Sequence, residues 1–338
     1  MQPIPDLVTV GHALVDIIAP VDDAVVAGLG LEKGTMTLVD PDRSEAILSV
    51  LRPEAAVSGG SAANTAAGVA VLGGSVAFVG KVRDDEWGRL FARDIRAAGV
   101  AYAGPVAADG PATGQVVVLV TPDGEKTMCT SLGIGDLLAA GDVDPDLVAG
   151  ARVVYLEGYL CGLDHTAATV EATLAAAEAG GAMVALSLSD PLWVRLHRDE
   201  LAALLPRVQL LFANADEACG VAGTTDPRRA AEELARRCAT VVVTLGADGS
   251  VVAAAGGLEE VPAVDAEVVD KTGAGDLFAA GYLHGYLSGG SPGDAARLGS
   301  VVAAEVVGHL GARPVADLRA LAGAAGAGSR LAGPVVGC

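Results

Sequence analysis

The chain has 338 residues, of which 51% are hydrophobic and 19% are charged, and its formal net charge at pH 7 is −20. This composition is that of a folded globular protein with enough apolar residues for a large core. A strongly negative surface repels polyanions, which excludes nucleic acid and anionic membrane as favoured partners. Any phosphate ligand must therefore be bound locally, by backbone amides, a metal ion or a few cations.

The five cysteines contain no CxxC pair and no metal-ligand spacing, and their distribution does not resemble a disulfide framework. No apolar run reaches the roughly 18 uninterrupted residues that a membrane span requires, and no segment has the pattern of a secretory signal. We therefore expect a soluble protein that stays in the reducing cytoplasm.

The predicted elements alternate along the chain between short β-branched runs and alanine-rich helical stretches. Strands are predicted at 7–11, 76–82, 153–158, 183–190, 210–214 and 241–246, and helices at 62–72, 86–98, 165–180 and 228–238. Continuous apolar strands that alternate with helices predict an α/β fold, with a mostly parallel sheet covered by helices on both faces. The ligands of such sheets bind at the carboxyl ends of the strands.

Three segments interrupt this alternation and predict a second, smaller sheet. They are residues 13–20, 34–40 and 101–133, and the last contains a hairpin that turns at Pro122-Asp123-Gly124. A small sheet beside a ligand site is a natural lid, and its apolar face offers a place where a second copy can pair as a homodimer. We assign residues 1–324 to one domain that includes the lid, and expect the low-complexity residues 325–338 to form a flexible tail.

The stretch DKTGAGDLFAAG at 270–281 places small residues and a carboxylate at the start of a predicted apolar helix. The backbone N–H groups of Gly273, Ala274 and Gly275 are unhindered at the positive end of that helix, where anions bind. Asp276 is then a proton acceptor beside the anion, as phosphoryl transfer to an alcohol needs. The alternative is that Asp276 only aids helix capping and that the glycines only form a turn.

A second glycine-rich stretch, SGGSAANTAAGVAVLGG at 58–74, precedes another predicted helix. The pair Gly59 and Gly60 lets a polar ligand approach the backbone, and Asn64 in the first helical turn can donate to and accept from a hydroxyl. The same residues also fit a plain helix start with Ser61 as its cap.

Asp16 and His12 follow the first predicted strand in GHALVDI. A carboxylate at Asp16 can bind two vicinal hydroxyls, although solvation in a loop explains a lone aspartate equally well. We interpret His12 as an ordinary hydrogen-bonded histidine.

Two further groups of residues follow strands in the second half of the chain. Asn214 and Glu217 lie in FANADE, and Thr244, Gly246 and Gly249 lie in TLGADGS. Each group alone fits a helix cap or a hairpin turn. Together, at the carboxyl ends of neighbouring strands, they can form a nucleotide site in which Glu217 holds magnesium through water. No GxxxxGK[ST] sequence occurs and no GxGxxG follows the first strand, which excludes a Walker-type site and a dinucleotide fold.

GGSAANTA at 59–66 and DKTGAGDLFAAG at 270–281 resemble the two signature motifs of the ribokinase-like, PfkB-type carbohydrate and nucleoside kinases. The resemblance spans about residues 7–320. GHALVDI, YLEGYL, LFANADE and AAEVVGHLGARP are most similar to the bacterial adenosine kinase branch. The resemblance implies a ribokinase-like three-layer α/β/α fold with a mostly parallel central sheet and a small β-sheet lid. It also implies ATP-dependent phosphorylation of a primary hydroxyl, with Mg²⁺ as cofactor.

The resemblance further implies roles for single residues. Asp276 would be the general base, and the amides of Gly273, Ala274 and Gly275 would form the anion hole. The residues around ATP would be Asn214, Glu217, Thr244, Gly246, Gly249 and Thr272, with Glu217 holding Mg²⁺ through water. The residues around the acceptor would be Asp16, His12, Gly59, Gly60 and Asn64. Asp270 would border a monovalent-cation site.

Two positions depart from the family pattern. Lys271 stands where a threonine or a small residue is common, next to Asp270, so we expect its ammonium to make potassium redundant. His12 replaces an asparagine of the adenosine kinase branch and would lie close to the sugar. We predict an ATP-dependent kinase whose acceptor is adenosine, through its 5′-hydroxyl. A free sugar such as ribose or fructose is the alternative acceptor, and a non-catalytic regulator that binds nucleotide or sugar is the alternative class.

Overall fold

The computed structural model describes residues 4–323. Its strands, in chain order, are β1 (Leu7–Val10), β2 (Leu14–Pro20), β3 (Met36–Leu38), β4 (Ala55–Gly59), β5 (Val76–Val79), β6 (Val82–Arg83), β7 (Ala101–Tyr102), β8 (Val106–Ala107), β9 (Gly114–Val120), β10 (Lys126–Ser131), β11 (Val153–Glu157), β12 (Met183–Ser187), β13 (Leu210–Asn214), β14 (Thr240–Thr244), β15 (Ser250–Ala254) and β16 (Gly257–Val261). Its helices are α1 (Asp23–Gly28), α2 (Pro41–Ser49), α3 (Ser61–Leu72), α4 (Glu86–Ala97), α5 (Pro145–Gly150), α6 (Asp164–Gly180), α7 (Pro191–Leu196), α8 (Arg198–Leu204), α9 (Ala215–Ala222), α10 (Pro227–Leu234), α11 (Ala274–Leu287) and α12 (Pro292–Val307). Residues 318–323 are also helical.

Nine strands form the main sheet, in the order β16-β15-β14-β13-β12-β11-β1-β5-β7. The strands from β14 to β7 pair in parallel, and β15 and β16 extend the sheet antiparallel. All residues of β1 and of β11 are buried, as expected of strands that are covered on both faces. The mostly parallel central sheet predicted from the continuous apolar runs is confirmed.

Helices cover both faces of this sheet and give three layers. Leu7 of β1 belongs to one apolar cluster, whereas Val8 and Val10 belong to a second cluster on the opposite face. Successive side chains of a strand point to opposite faces, so a strand buried on both faces contributes to two cores. The three-layer α/β/α fold class is confirmed.

A second sheet of five strands, in the order β3-β10-β9-β2-β4, lies over the carboxyl ends of the main-sheet strands, and we call it the lid sheet. One face lines a cavity, with Leu14 and Asp16 of β2 and Val116 of β9. The alternate residues of these strands, among them Ala19 and Val117, pack under α1 and α2. The apolar outer face of the lid sheet is therefore already covered by the chain itself.

The lid sheet differs from its predicted extent in two places. Strand β4 belongs to it, although its sequence AAVSG is too short and too rich in small residues to show an alternating pattern. The predicted segment 101–133 is too long, because β7 pairs with β5 in the main sheet and β8 pairs with β6. Two-residue strands carry no usable sequence period, so only pairing assigns them.

Residue 324 and the predicted tail at 325–338 lie outside the described residues. Within the described range, no helix is both long enough and apolar enough to span a membrane.

Candidate active site

A cavity of about 810 Å³ lies between the lid sheet and the carboxyl ends of the main-sheet strands, a size within the range of small-molecule sites. The structure brings most of the predicted site residues to its wall. They are His12, Asp16, Gly60, Asn64, Asn214, Glu217, Thr244, Gly246, Thr272, Gly273, Ala274, Gly275 and Asp276. Gly59, Gly249 and Asp270 do not line the cavity, and each supports a residue or turn beside it.

The start of α11 is shaped by glycine. Gly273 is the N-cap residue with φ +77, in the left-handed region, and a Cβ there would collide with Ala312. The helix therefore begins at Ala274 with its first amide groups at the cavity wall. Free N–H groups at a helix N-terminus bind anions.

The Asp276 carboxylate points away from its own helix. Its Oδ1 accepts from the Ser61 hydroxyl at 2.7 Å, and its Oδ2 accepts from the Asn64 amide at 2.9 Å, both on α3. Burial raises the pKa of Asp276 to about 6, although the Ser61 and Asn64 hydrogen bonds lower it. A carboxylate held in this way at a cavity wall suits a general base better than a cap, because its bonds do not go to the amides of α11.

Two glycines before α3 make room for this arrangement. Gly60, with φ +98, is the N-cap of α3, and a Cβ there would collide with the backbone oxygen of His12. A Cβ on Gly59 would overlap the carboxylate of Asp16. The interpretation of Ser61 as the helix cap is wrong: Gly60 holds that position, and the Ser61 hydroxyl bonds to Asp276.

Asp16 lies in the middle of β2 and faces the cavity, so it is not a loop residue. Burial raises the pKa of Asp16 to about 6, the nearby charges of Arg313 and Lys126 lower it, and that of Asp276 raises it. A half-buried carboxylate without a direct ion pair has acceptor sites left for ligand hydroxyl groups.

His12 lies under the cavity between two carboxylates. Its Nδ1 lies 2.6 Å from Glu157 Oε1, its backbone N–H donates to the same oxygen at 2.7 Å, and its Nε2 lies 3.6 Å from Asp136 Oδ1. Burial lowers the pKa of His12, but the nearby Asp136 carboxylate and the hydrogen bond and charge of Glu157 raise it to about 9. The interpretation as a hydrogen-bonded histidine agrees with these contacts, and the side chain also lines the cavity.

Glu157 was missed by sequence reasoning. It is 1% exposed at the end of β11, and it also accepts from the Ala62 N–H at 3.0 Å, at the start of α3. The available signal was an acid that ends the apolar run VVYLE. Through these hydrogen bonds Glu157 connects His12, just after β1, with the start of α3.

At the cavity wall after β13, Asn214 and Glu217 form a capping box at the start of α9. The Glu217 N–H donates to Asn214 Oδ1 at 2.9 Å, and the Asn214 N–H donates to Glu217 Oε2 at 2.9 Å. Burial raises the pKa of Glu217 to about 7. The helix cap, given above as the alternative role of Asn214 and Glu217, is therefore present. The same two residues also line the cavity.

Thr244, the last residue of β14, and Gly246, just after it, lie at the cavity wall. Gly249, with φ +89, forms the tight turn into β15, where a Cβ would collide with the backbone oxygen of Val261. For Gly249 the hairpin alternative agrees with the structure.

Asp270 is buried in the loop before α11, and each of its two carboxylate oxygens accepts two hydrogen bonds. Its Oδ1 accepts from the Thr272 N–H at 3.0 Å and hydroxyl at 2.7 Å, and its Oδ2 accepts from the Gly311 N–H at 2.7 Å and from the Lys126 ammonium. Burial would raise the pKa of Asp270, but these partners hold it below its usual range. Lys271 is exposed, so the expectation that its ammonium neutralises Asp270 is wrong, and Lys126 of the lid sheet does so instead.

Comparison with known proteins places these motifs in context. Residues 48–318 match the pfkB family of carbohydrate kinases. The chain is 42% identical to a solved adenosine kinase from Sinorhizobium meliloti, over 96% of this chain and all of that one, with a TM-score of 0.87. It is 38% identical to a solved probable sugar kinase from Rhizobium etli CFN 42, over 96% and 99% of the two chains, with a TM-score of 0.88. Adenosine kinase from Saccharomyces cerevisiae is 29% identical over 84% of this chain and 89% of that protein.

Proposed function

The chain belongs to the pfkB family of carbohydrate kinases, phosphotransferases that act on alcohol groups, and from that premise we propose that it transfers the γ-phosphoryl group of ATP to the 5′-hydroxyl of a ribonucleoside, adenosine first. One observation carries the choice of a nucleoside over a free sugar. The lid sheet presents apolar side chains to the cavity that holds the Asp16 carboxylate, and one of them, Val116, is the strand partner of Asp16. The adenosine kinases among the relatives support the same choice.

The apolar lid fits a ligand with one polar and one apolar part. The lid-side residues at the cavity wall include Leu14, Met36, Leu38, Val116, Met128 and Leu132. A free sugar carries hydroxyl groups on every side, and burying them against such side chains without hydrogen bonds costs free energy. A nucleobase has two apolar faces for these residues, and the ribose hydroxyls of the same molecule can donate to Asp16.

In this proposal Asp276 removes the proton from the attacking hydroxyl. Ser61 and Asn64 hold the carboxylate at the cavity wall, and its raised pKa brings its basicity close to that needed near neutral pH. The amide groups at the start of α11, from Gly273 to Gly275, stabilise the negative charge of the transferred phosphoryl group. Gly60 and Asn64 border the acceptor together with Asp16 and His12.

We assign ATP binding to the residues at the ends of β13 and β14 and in the segments that follow these strands. Asn214, Glu217, Thr244, Gly246 and Thr272 would border the nucleotide, and Gly249 would set the turn behind it. The described residues hold no cluster of three metal-ligating side chains, which fits a magnesium ion held mainly by phosphate and water oxygens. Glu217, buried and able to bind through water, is the residue that would hold it. Mg²⁺ supplies charge neutralisation at the phosphates when bound.

Three further expectations from the sequence belong to this proposal. We propose that activity does not depend on potassium, because the Asp270 carboxylate already receives four hydrogen bonds from the chain. A homodimer through the lid would not use the outer face of the lid sheet, because α1 and α2 cover that face. A kinase that uses ATP and whose described cysteines are free fits a cytoplasmic location.

The test is a substrate panel with ATP and Mg²⁺, covering adenosine, inosine, guanosine, cytidine, ribose, fructose and 2-keto-3-deoxygluconate. We expect the highest kcat/KM with adenosine and a 5′-phosphorylated product. A higher kcat/KM with any non-nucleoside would overturn the choice of acceptor. Binding of nucleoside and ATP without turnover of any acceptor would favour the non-catalytic regulator.

A further inference from the structure

Arg313 lies in the segment after α12 and reaches the boundary between the lid sheet and the main domain. Its Nε and Nη2 donate to the backbone oxygen of Ser58 at 3.0 and 2.6 Å, and Nη2 also donates to the Ser58 hydroxyl at 2.9 Å. Its Nη1 donates to the backbone oxygen of Ala63 at 3.1 Å. Ser58 belongs to β4 of the lid sheet and Ala63 to α3, so one side chain bonds both sides of the Gly59-Gly60 junction.

These contacts place the guanidinium close to the two carboxylates of the proposed acceptor site, because Ser58 precedes Gly59, whose Cα faces the Asp16 carboxylate, and Ala63 precedes Asn64, which bonds to Asp276. The charge of Arg313 lowers the pKa of both Asp16 and Asp276, whose own pKa values are raised by burial. The other charged groups facing Asp276 act in the opposite direction or are neutral: Glu157 raises its pKa, and Tyr155 and Tyr159 are buried phenols nearby. Further charged groups around the pair are Lys126, which faces Asp16, Asp94, which faces Arg313 and bonds to Ser58, and Glu217, which faces Asp276.

We propose that Arg313 is a positioning residue of the acceptor site, which keeps Asp16 and Asp276 ionised together and fastens the start of α3 to the lid sheet. This inference rests on the proposed function, because it concerns the proton acceptor of that reaction. Two carboxylates that face one cavity repel each other, and without a shared cation one of them takes up a proton near neutral pH. A protonated Asp276 cannot accept the proton of the acceptor hydroxyl.

Three variants separate charge from hydrogen bonding. Arg313→Gln removes the charge, Arg313→Lys keeps the charge and loses most of the hydrogen bonds, and Arg319→Gln is the matched control. Arg319 lies on the same carboxyl-terminal segment and also bonds a backbone oxygen of α3, that of Val71, at the far end of the helix from the carboxylates. Arg319→Gln removes one positive charge, as Arg313→Gln does, but at a position away from Asp16 and Asp276.

The readout is the pH profile of kcat together with the acceptor KM. In Arg313→Gln we expect the acid limb to move up by about one pH unit, at the low end of what an adjacent opposite charge does to a carboxyl pKa. In Arg313→Lys the acid limb should stay within about 0.3 pH units of the parent while the acceptor KM rises several-fold, because the fastening of α3 is lost. Arg319→Gln should match the parent in both.

An unmoved acid limb in folded Arg313→Gln would overturn the proposal, since a merely structural arginine lowers kcat at every pH alike. If Arg313→Gln does not fold, Arg313→Met, which also removes the charge but keeps the apolar stem, takes its place: an acid limb that moves up supports the proposal, and an unmoved one overturns it. An acid limb that moves in Arg313→Lys despite the retained charge also overturns it.

A carboxyl ¹³C titration of aspartate-labelled protein makes the test independent of turnover. The Asp276 signal is assigned by its loss in Asp276→Asn. If the parent protein phosphorylates no acceptor, the proposed function fails, and a rise of the Asp276 pKa in Arg313→Gln still supports the inference. If the parent turns over normally but neither the titration nor the acid limb moves in Arg313→Gln, the inference alone fails.

Discussion

At the scale of a single residue, Asp276 is either a general base or a helix cap, and Asp276→Asn distinguishes these two roles. Asparagine keeps the shape of the side chain and caps a helix about as well, but it cannot accept the proton. Because the Asp276 bonds run to Ser61 and Asn64 rather than to α11, we expect kcat to fall by roughly 10²–10⁴ while ATP still binds. Turnover and ATP affinity are measured on one folded preparation.

The control for this variant is Asp294→Asn, which changes an exposed aspartate in the first turn of α12, away from the cavity. It should leave kcat unchanged. Near-parent turnover by Asp276→Asn would remove Asp276 from the mechanism.

His12 predicts a pH dependence of stability. Its pKa is about 9 in the folded protein and ordinarily 6.5, so the charged imidazole between Glu157 and Asp136 stabilises the fold. This stabilisation is complete below about pH 6.5 and is lost as the pH rises through about 9. The expected contribution is on the order of 2–3 kcal/mol, measured by urea unfolding at pH 6 and pH 9.5.

His12→Gln should lose the part of the pH dependence that comes from this group, so its stability changes less than that of the parent between the two pH values. His284→Gln is the control with the opposite sign, because burial lowers the pKa of His284, so this group's own contribution to stability rises rather than falls as the pH increases. An equal change in the parent and in His12→Gln would show that His12 is not charged in the folded protein.

At the scale of elements, the Lys126–Asp270 ion pair joins β10 of the lid sheet to the loop before α11. We expect the parent activity to be the same in sodium, potassium and a bulky organic cation at equal ionic strength. Lys126→Met leaves a buried carboxylate unpaired, so kcat/KM should fall by at least about tenfold. Part of that loss should be recovered by potassium, which can neutralise Asp270 in place of the ammonium.

Lys33→Met is the matched control, since Lys33 makes ion pairs with Asp23 and Asp123 that stay within the lid region. It should change neither the activity nor its cation response. A several-fold stimulation of the parent by potassium over sodium would show that the ion pair does not replace a bound cation.

At the scale of the whole molecule, the net charge of −20 repels ATP, and the part of the cavity wall proposed to border the nucleotide adds Asp190, Asp216 and Glu217. Raising the ionic strength from about 10 mM to about 150 mM shortens the Debye length from about 30 Å to about 8 Å. The KM for ATP should therefore fall as salt is added at constant free Mg²⁺, while the KM for uncharged adenosine stays constant. An ATP KM that rises with salt would mean that local cations outweigh the net charge.

The main-sheet strands could be predicted from the sequence because burial on both faces requires continuous apolar runs such as VVYLE and LLFAN, a strictly local pattern. The two glycine-rich motifs could also be predicted as segments beside a ligand-sized cavity, which they line. Backbone access at Gly60 and at the start of α11 depends on small residues that stand next to each other in the chain.

The partners of these motifs were decided by the tertiary structure. Ser61 meets Asp276 across 215 residues of sequence, Glu157 meets His12 across 145, and Lys126 meets Asp270 across 144. A lone acid or base leaves no periodic signal, because its surroundings come from strands and helices that become neighbours only when the sheet order is set. The contacts of Arg313 could not be predicted from the sequence for the same reason. Its bonds to Ser58 span 255 residues and exist only because the segment after α12 packs against the Gly59-Gly60 junction.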